Sequence, residues 1–355
     1  MSARVVPAPE DCPERQYHGN PFRYCGSCSW IEPSEASTAV TYSGALAGSD
    51  GSSLAITGAV LTPAPVTPTP DPTPTPSTGR VRAVWHHGWS GPSLSSWPVD
   101  VRSSVTCITL AMSQSAAKGT GKLTLPPGVT KAEVLTLVKA GVDVLVGVGG
   151  SGDGGIVVTG RARLGLAEGE DIDGGITLKT SAHVDELVTS VLANAATLGT
   201  TGICWDLEGA PGSGWTATAV ADASQRLVAA GQQVAIWSAL YGGRLAAWGS
   251  VAAALGANLH HWERGFYDFQ EANDSRLTGI VTSDLASMRQ AVARDDQLVA
   301  SFAPVGSTSR TATSTMTAAY AAARAKMPDV GFSVWEDFQD AKIGWASTRG
   351  LAAVA

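Results

Sequence analysis

From Arg80 to the C-terminus, short apolar runs alternate with stretches in which apolar residues recur every three or four positions. "VRAVWHHGW" opens the series. "SVTCITLAM", "VDVLVGVGG", "TGICWDLEG", "QVAIWSAL", "ANLHHWE", "QLVASFAP" and "VGFSVWEDF" follow it. Brief apolar runs rich in Val, Ile and aromatic residues read as strands buried on both faces. In "SAHVDELVTSVLANAATLG", Val184, Leu187, Val188, Val191 and Leu192 fall on one face of a helix. "TKAEVLTLVKAG" and "TMTAAYAAARAKM" repeat that pattern. Eight strands alternating with helices predict an α/β fold, a (β/α)8 TIM barrel over residues 81–355. The alternative is an open doubly wound sheet, but no Gly-rich phosphate loop supports it.

Upstream the pattern changes. "STAVTYSGALAGSDGSSLAITGAVLTP" alternates about the turn "GSDGSS" and predicts a β-hairpin. It belongs to a small β-rich module, residues 1–60, that also holds Cys12, His18, Cys25 and Cys28. A CxxC pair with a further Cys and His nearby could hold a structural zinc, with a disulfide or free thiols as alternatives. So few residues bury little core, so the module needs a staple or a partner, and an anchoring role follows. Residues 61–80 are a linker: "TPAPVTPTPDPTPTPSTG" has proline at nearly every second position and favours extended polyproline II. At about 3.1 Å per residue it would hold two bodies roughly 50 Å apart.

Composition narrows the partners. The 355-residue chain has a formal charge of −7 and no dense Lys/Arg run, which argues against nucleic-acid binding. No apolar run reaches the roughly 18–20 residues of a membrane span, and the start lacks the apolar core of a secretory signal. The expected location is therefore cytoplasmic, or extracellular or virion-associated without a signal peptide. Eleven tryptophans is a high count; core filling suits most, and some are expected to line a groove.

"TTGICWDLEG" carries the clearest chemistry. On a strand Cys204, Asp206 and Glu208 share one side, and Ile203, Trp205 and Leu207 the other. The apolar set suits the helix layer, so the Cys–Asp–Glu ladder should face the barrel interior. Glu208 then stands at the C-terminal end of the strand, where barrel enzymes keep their chemistry. Two carboxylates this close should leave one protonated near neutral pH, as protonation of a glycosidic oxygen requires. A salt-bridged structural pair is the other reading.

At this point the sequence resembles glycoside hydrolase family 18, the chitinase-like family. "TGICWDLE" overlays the family's strand-four signature DxxDxDxE without a gap. "VLVGVGGSGDGG" is similar to its strand-three SxGG segment, with Gly147 where serine is usual. "ANLHHWE", "QLVASFAPVG" and "GFSVWEDFQD" resemble strands six, seven and eight in order. The resemblance implies substrate-assisted cleavage of β-1,4 bonds beside N-acetylglucosamine. Glu208 would protonate the leaving oxygen, the sugar's own acetamido carbonyl would attack, and Asp206 would hold the acetamido N–H. Trp335 would form the floor beneath that sugar, and Trp85, Trp262, Glu263 and Tyr267 are further candidate substrate contacts. No cofactor is implied for catalysis.

Departures accompany the match. The motif's first two acids are Thr201 and Cys204, and Trp262 with Glu263 replaces the Tyr–Asp expected in strand six. Paired His260 and His261 would face opposite sides of a strand, which argues against a metal site there. His86, His87 and Trp89 close strand one, as sugar contacts or as a strand-end cluster. A non-catalytic glycan-binding or structural protein on the same barrel is thus the alternative. A family 25 muramidase fits "WDLEG" less fully. A short anchoring module, a stalk and a wall-directed barrel would suit a bacteriophage tail protein of an actinobacterial system. Its partners would then be a glycan polymer (chitin, peptidoglycan or an N-glycan core) and a virion tail assembly.

Overall fold

The computed structural model describes residues 79–117, 119–150, 174–238, 244–266, 274–306 and 311–355, and the backbone of six strands nearer the N-terminus. The chain divides into two units, Met1–Asp71 and Pro72–Ala355. In the first, Ser2–Val5 pairs with Ser29–Glu32, Arg15–Tyr17 with Asn20–Phe22, and Val40–Ala47 with Ser53–Leu61, all antiparallel. The last pair is the hairpin expected from the alternation. Cys12, His18, Cys25 and Cys28, with the zinc or disulfide expected of them, lie outside the described residues. So does Tyr267.

The second unit is a closed barrel of eight parallel strands. They are β1 (Arg82–His87), β2 (Cys107–Ser113), β3 (Asp143–Gly149), β4 (Gly202–Asp206), β5 (Gln233–Ser238), β6 (Leu259–Gly265), β7 (Leu298–Phe302) and β8 (Gly331–Val334). Each overlaps one of the eight apolar runs. The helices are α1 (Val99–Ser104), α2 (Lys131–Lys139), α3 (Ser181–Leu198), α4 (Ala217–Ala229), α5 (Arg244–Leu255), α6 (Asp274–Met288), α7 (Thr313–Lys326), α8 (Asp337–Lys342) and α9 (Ala346–Val354). None among the described residues is long and apolar enough to cross a membrane.

Local chemistry sets the helix limits. Thr130 and Glu133 form a capping box at the start of α2, and Thr180 caps α3, which Gly199 ends in the left-handed conformation at φ 82°. The buried face of α3 is the expected stripe of Val184, Leu187, Val188 and Val191, with Leu192 at its edge. Strand alternation divides the apolar residues into two sets. Ile203, Trp205 and Leu207 pack in the layer between barrel and helices, while Cys204, Leu145, Ala235 and Trp237 fill the barrel interior.

One irregularity matters for the interior. Val234 of β5 stands opposite Leu259 of β6, but Ile236 stands opposite Trp262. Ala235 alone therefore faces both His260 and His261. The extra residue is a β-bulge, and it brings both imidazoles to the same neighbourhood.

Candidate active site

Asp206 ends β4 and Glu208 lies two residues further on. Leu207 between them is buried against the helices, and Asp206, on the same side of the strand as Cys204, faces the interior as the alternation of the sequence requires. Asp206 is buried and Glu208 half-buried. The backbone behind Asp206 is crowded: its carbonyl accepts from Gly150 N at 2.7 Å. A Cβ on Gly149, at φ +121°, would stand 2.2 Å from that oxygen. Only glycine lets the end of β3 come so near, which gives the "GG" of that strand its physical reason.

The turn beyond is clamped from α5. Arg244 donates to the Glu208 carbonyl through Nε at 2.8 Å and again through a terminal nitrogen. Trp215 Nε1 donates to the Gly209 carbonyl at 3.2 Å, and its ring stacks on Trp248 at 4.8 Å. The main chain carrying Glu208 is thus fixed on both sides, while the carboxyl end stays half-buried at the strand's C-terminal end.

Across the mouth, Trp335 follows β8, four strands from β4. It is half-buried and packs edge-on against Trp85 at 5.0 Å and against His87 at 4.8 Å. His87 also stacks on Trp89, which is 38% exposed. The segment after Trp335 is tied back to β1. Glu336 pairs with His87, and Asp337 accepts from His86 Nδ1 at 2.7 Å and from the His87 amide at 2.9 Å. His86 and His87 therefore fasten the β8–β1 seam behind the tryptophan. Among the described tryptophans only Trp89 and Trp335 are not buried, and they stand together.

Below the acids, a line of polar side chains runs through the barrel. Trp85 Nε1 donates to Glu263 Oε2 at 3.0 Å, and His261 Nε2 meets Glu263 Oε1 at 2.9 Å. His261 Nδ1 lies 2.6 Å from His260 Nδ1. His260 Nε2 lies 2.9 Å from Asp143 Oδ2, whose partner oxygen accepts from Gln233 Nε2 at 2.8 Å. Cys204 and Cys107 are buried thiols of the same interior, and burial pushes both well above the ordinary thiol range. Burial is also the main cause that lowers His261.

Several expectations change here. Trp262 is fully buried in the helix-side layer, its Nε1 donating to Ser238 Oγ at 2.7 Å, and it does not face the interior. The bulge sets the phase: His261 and Glu263 point inward, so Trp262 between them points out. Glu263 and Trp85 are interior but wholly buried, and they bind each other across the barrel rather than lining its mouth. The two histidines meet ring to ring, against the expectation that they would face apart. Trp85 also explains Gly147: a Cβ there would lie 2.7 Å from Trp85 Cζ3, so the bulky indole and the missing side chain go together. Asp143, Gln233 and Arg244 were not singled out from the sequence. The one available signal was an acid opening an apolar strand at "VDVLV".

No protein-family model matches the sequence, and no curated protein is similar to it. Solved structures do share the fold. A family GH18 chitinase from Chromobacterium violaceum aligns with a TM-score of 0.57 at 16% identity, covering 92% of this chain and 98% of that one. A Group IV chitinase from Ostrinia furnacalis, in complex with allosamidin, gives 0.54 at 12% identity over 78% and 97%. A chitinase-like agglutinin from Robinia pseudoacacia gives 0.53 at 15% identity over 77% and 99%.

Proposed function

We propose that the barrel is a glycoside hydrolase that cleaves β-1,4 bonds next to N-acetylglucosamine in chitin-like or peptidoglycan chains. The observation that supports this reading is the position of Asp206 at the C-terminal end of β4 and of Glu208 in the turn just beyond it, with that turn clamped by Arg244 and Trp215. Glu208 protonates the leaving oxygen. The acetamido carbonyl of the bound sugar attacks the anomeric carbon, and Asp206 holds the acetamido N–H and the developing positive charge. No protein nucleophile takes part, so the spacing of the two carboxylates does not fix the stereochemical outcome. Trp335 and Trp89 offer aromatic faces for sugar rings across the mouth. The shared fold with the chitinases is consistent with this assignment.

The Pro/Thr-rich segment displays the barrel, and the N-terminal unit anchors it to a larger assembly such as a bacteriophage tail, outside the cell or on the virion. Reducing-end release from N-acetylated and de-N-acetylated chitooligosaccharides tests the mechanism. The reading expects turnover of the acetylated substrate and none of the other; equal rates on both overturn it.

A second reading, glycan binding without turnover, is favoured by Cys204 and Gly147, where the family motif carries an acid and a hydroxyl. The fold shared with an agglutinin is consistent with it. Saturable binding of acetylated oligosaccharides with no product would select it.

A further inference from the structure

We infer that Cys204, His261 and Glu263 form a metal site inside the barrel, of the chemistry that takes zinc or a similar borderline divalent ion. Each side chain is fully buried, and one sulfur, one ring nitrogen and one carboxylate oxygen lie within 4.8 Å of one another. A thiolate, an imidazole and a carboxylate around one point are a donor set that zinc accepts, commonly in a tetrahedron. The site lies below Asp206 and uses neither proposed catalytic acid.

The surroundings supply what a metal site needs beyond its ligands, namely partners that orient them. The second oxygen of Glu263 is held by Trp85 Nε1 at 3.0 Å. The second nitrogen of His261 is held by His260, which leans on Asp143, itself held by Gln233. The β6 bulge brings the two imidazoles into contact.

Counting hydrogens shows that the line of contacts can accommodate an ion in place of a proton. The contacts Glu263–His261, His261–His260 and His260–Asp143 each need one hydrogen. Two neutral imidazoles supply only two. With neutral rings and no ion, the three contacts therefore need one further proton, which offsets part of the charge of the two carboxylates. With a dication on His261 Nε2, His261 Nδ1–H donates to His260 Nδ1, and His260 Nε2–H donates to Asp143. Both rings are then neutral. Binding releases two protons, the additional one and the Cys204 thiol's, for the two charges of the ion. The net charge of the cluster is unchanged. The ion is taken up as the barrel folds, since ligand formation and folding are coupled.

The test is elemental analysis of the full-length protein purified without chelators, with cobalt(II) spectra after refolding. Both are carried out on a Cys25→Ser/Cys28→Ser background, because the N-terminal cysteines are a separate metal candidate. About one zinc per chain is expected on that background, falling to near zero when Cys204→Ser or His261→Gln is added. Refolding with cobalt should give a thiolate-to-metal charge-transfer band that Cys204→Ser removes. A metal content unchanged by Cys204→Ser overturns the site. So does the absence of both zinc and the cobalt band in the background protein, a result that stands even where a ligand variant fails to fold. Neither readout depends on glycan turnover.

Discussion

At the residue scale, the geometry of Glu208 rests on its main chain. Arg244 donates twice to the Glu208 carbonyl, so Arg244→Ala should let the turn drift while leaving Glu208 itself intact. A displacement of that kind should lower kcat about 10–100-fold with a smaller change in KM. Steady-state kinetics on acetylated oligosaccharides check this; an unchanged kcat would remove Arg244 from the positioning role. The place of Asp206 at the end of β4, with Glu208 just beyond it, was legible in the sequence, because two acids inside an apolar run sit two residues apart and the run alternates. Arg244 was not, because a cation opening a helix after a different strand carries no local mark of the carbonyl it will meet.

At the scale of elements, all eight strands could be read from their apolar runs, and the α3 face from its spacing. The β6 interior could not. A bulge is one extra residue relative to a neighbouring strand, a property of the pair that neither sequence announces alone. Missing it inverted the roles of Trp262 and the two histidines. The contact of β1 with β3 is another property of a pair: Gly147 leaves the space that Trp85 fills. Gly147→Ala should destabilise the barrel by forcing the indole away from Glu263. Combined with Trp85→Phe the costs should be less than additive, by about 0.5–3 kcal/mol. Urea denaturation of the two single variants and the double variant measures the coupling, and strict additivity would contradict it.

At the scale of the whole molecule, the barrel closes on itself with no open sheet edge and has its own two-layered core. Residues 79–355 expressed alone should therefore fold and keep the kcat of the full chain, while association with particles is lost. Loss of turnover in that fragment, or undiminished association, would contradict the division of labour between the units. The central claim is that Glu208 is the acid. Its most direct test is kcat of the wild type and of Glu208→Gln on an acetylated chitooligosaccharide, with melting temperatures measured alongside. The account predicts a fall of about 10²–10⁴-fold at an unchanged melting temperature. Equal kcat values for the two proteins would contradict it.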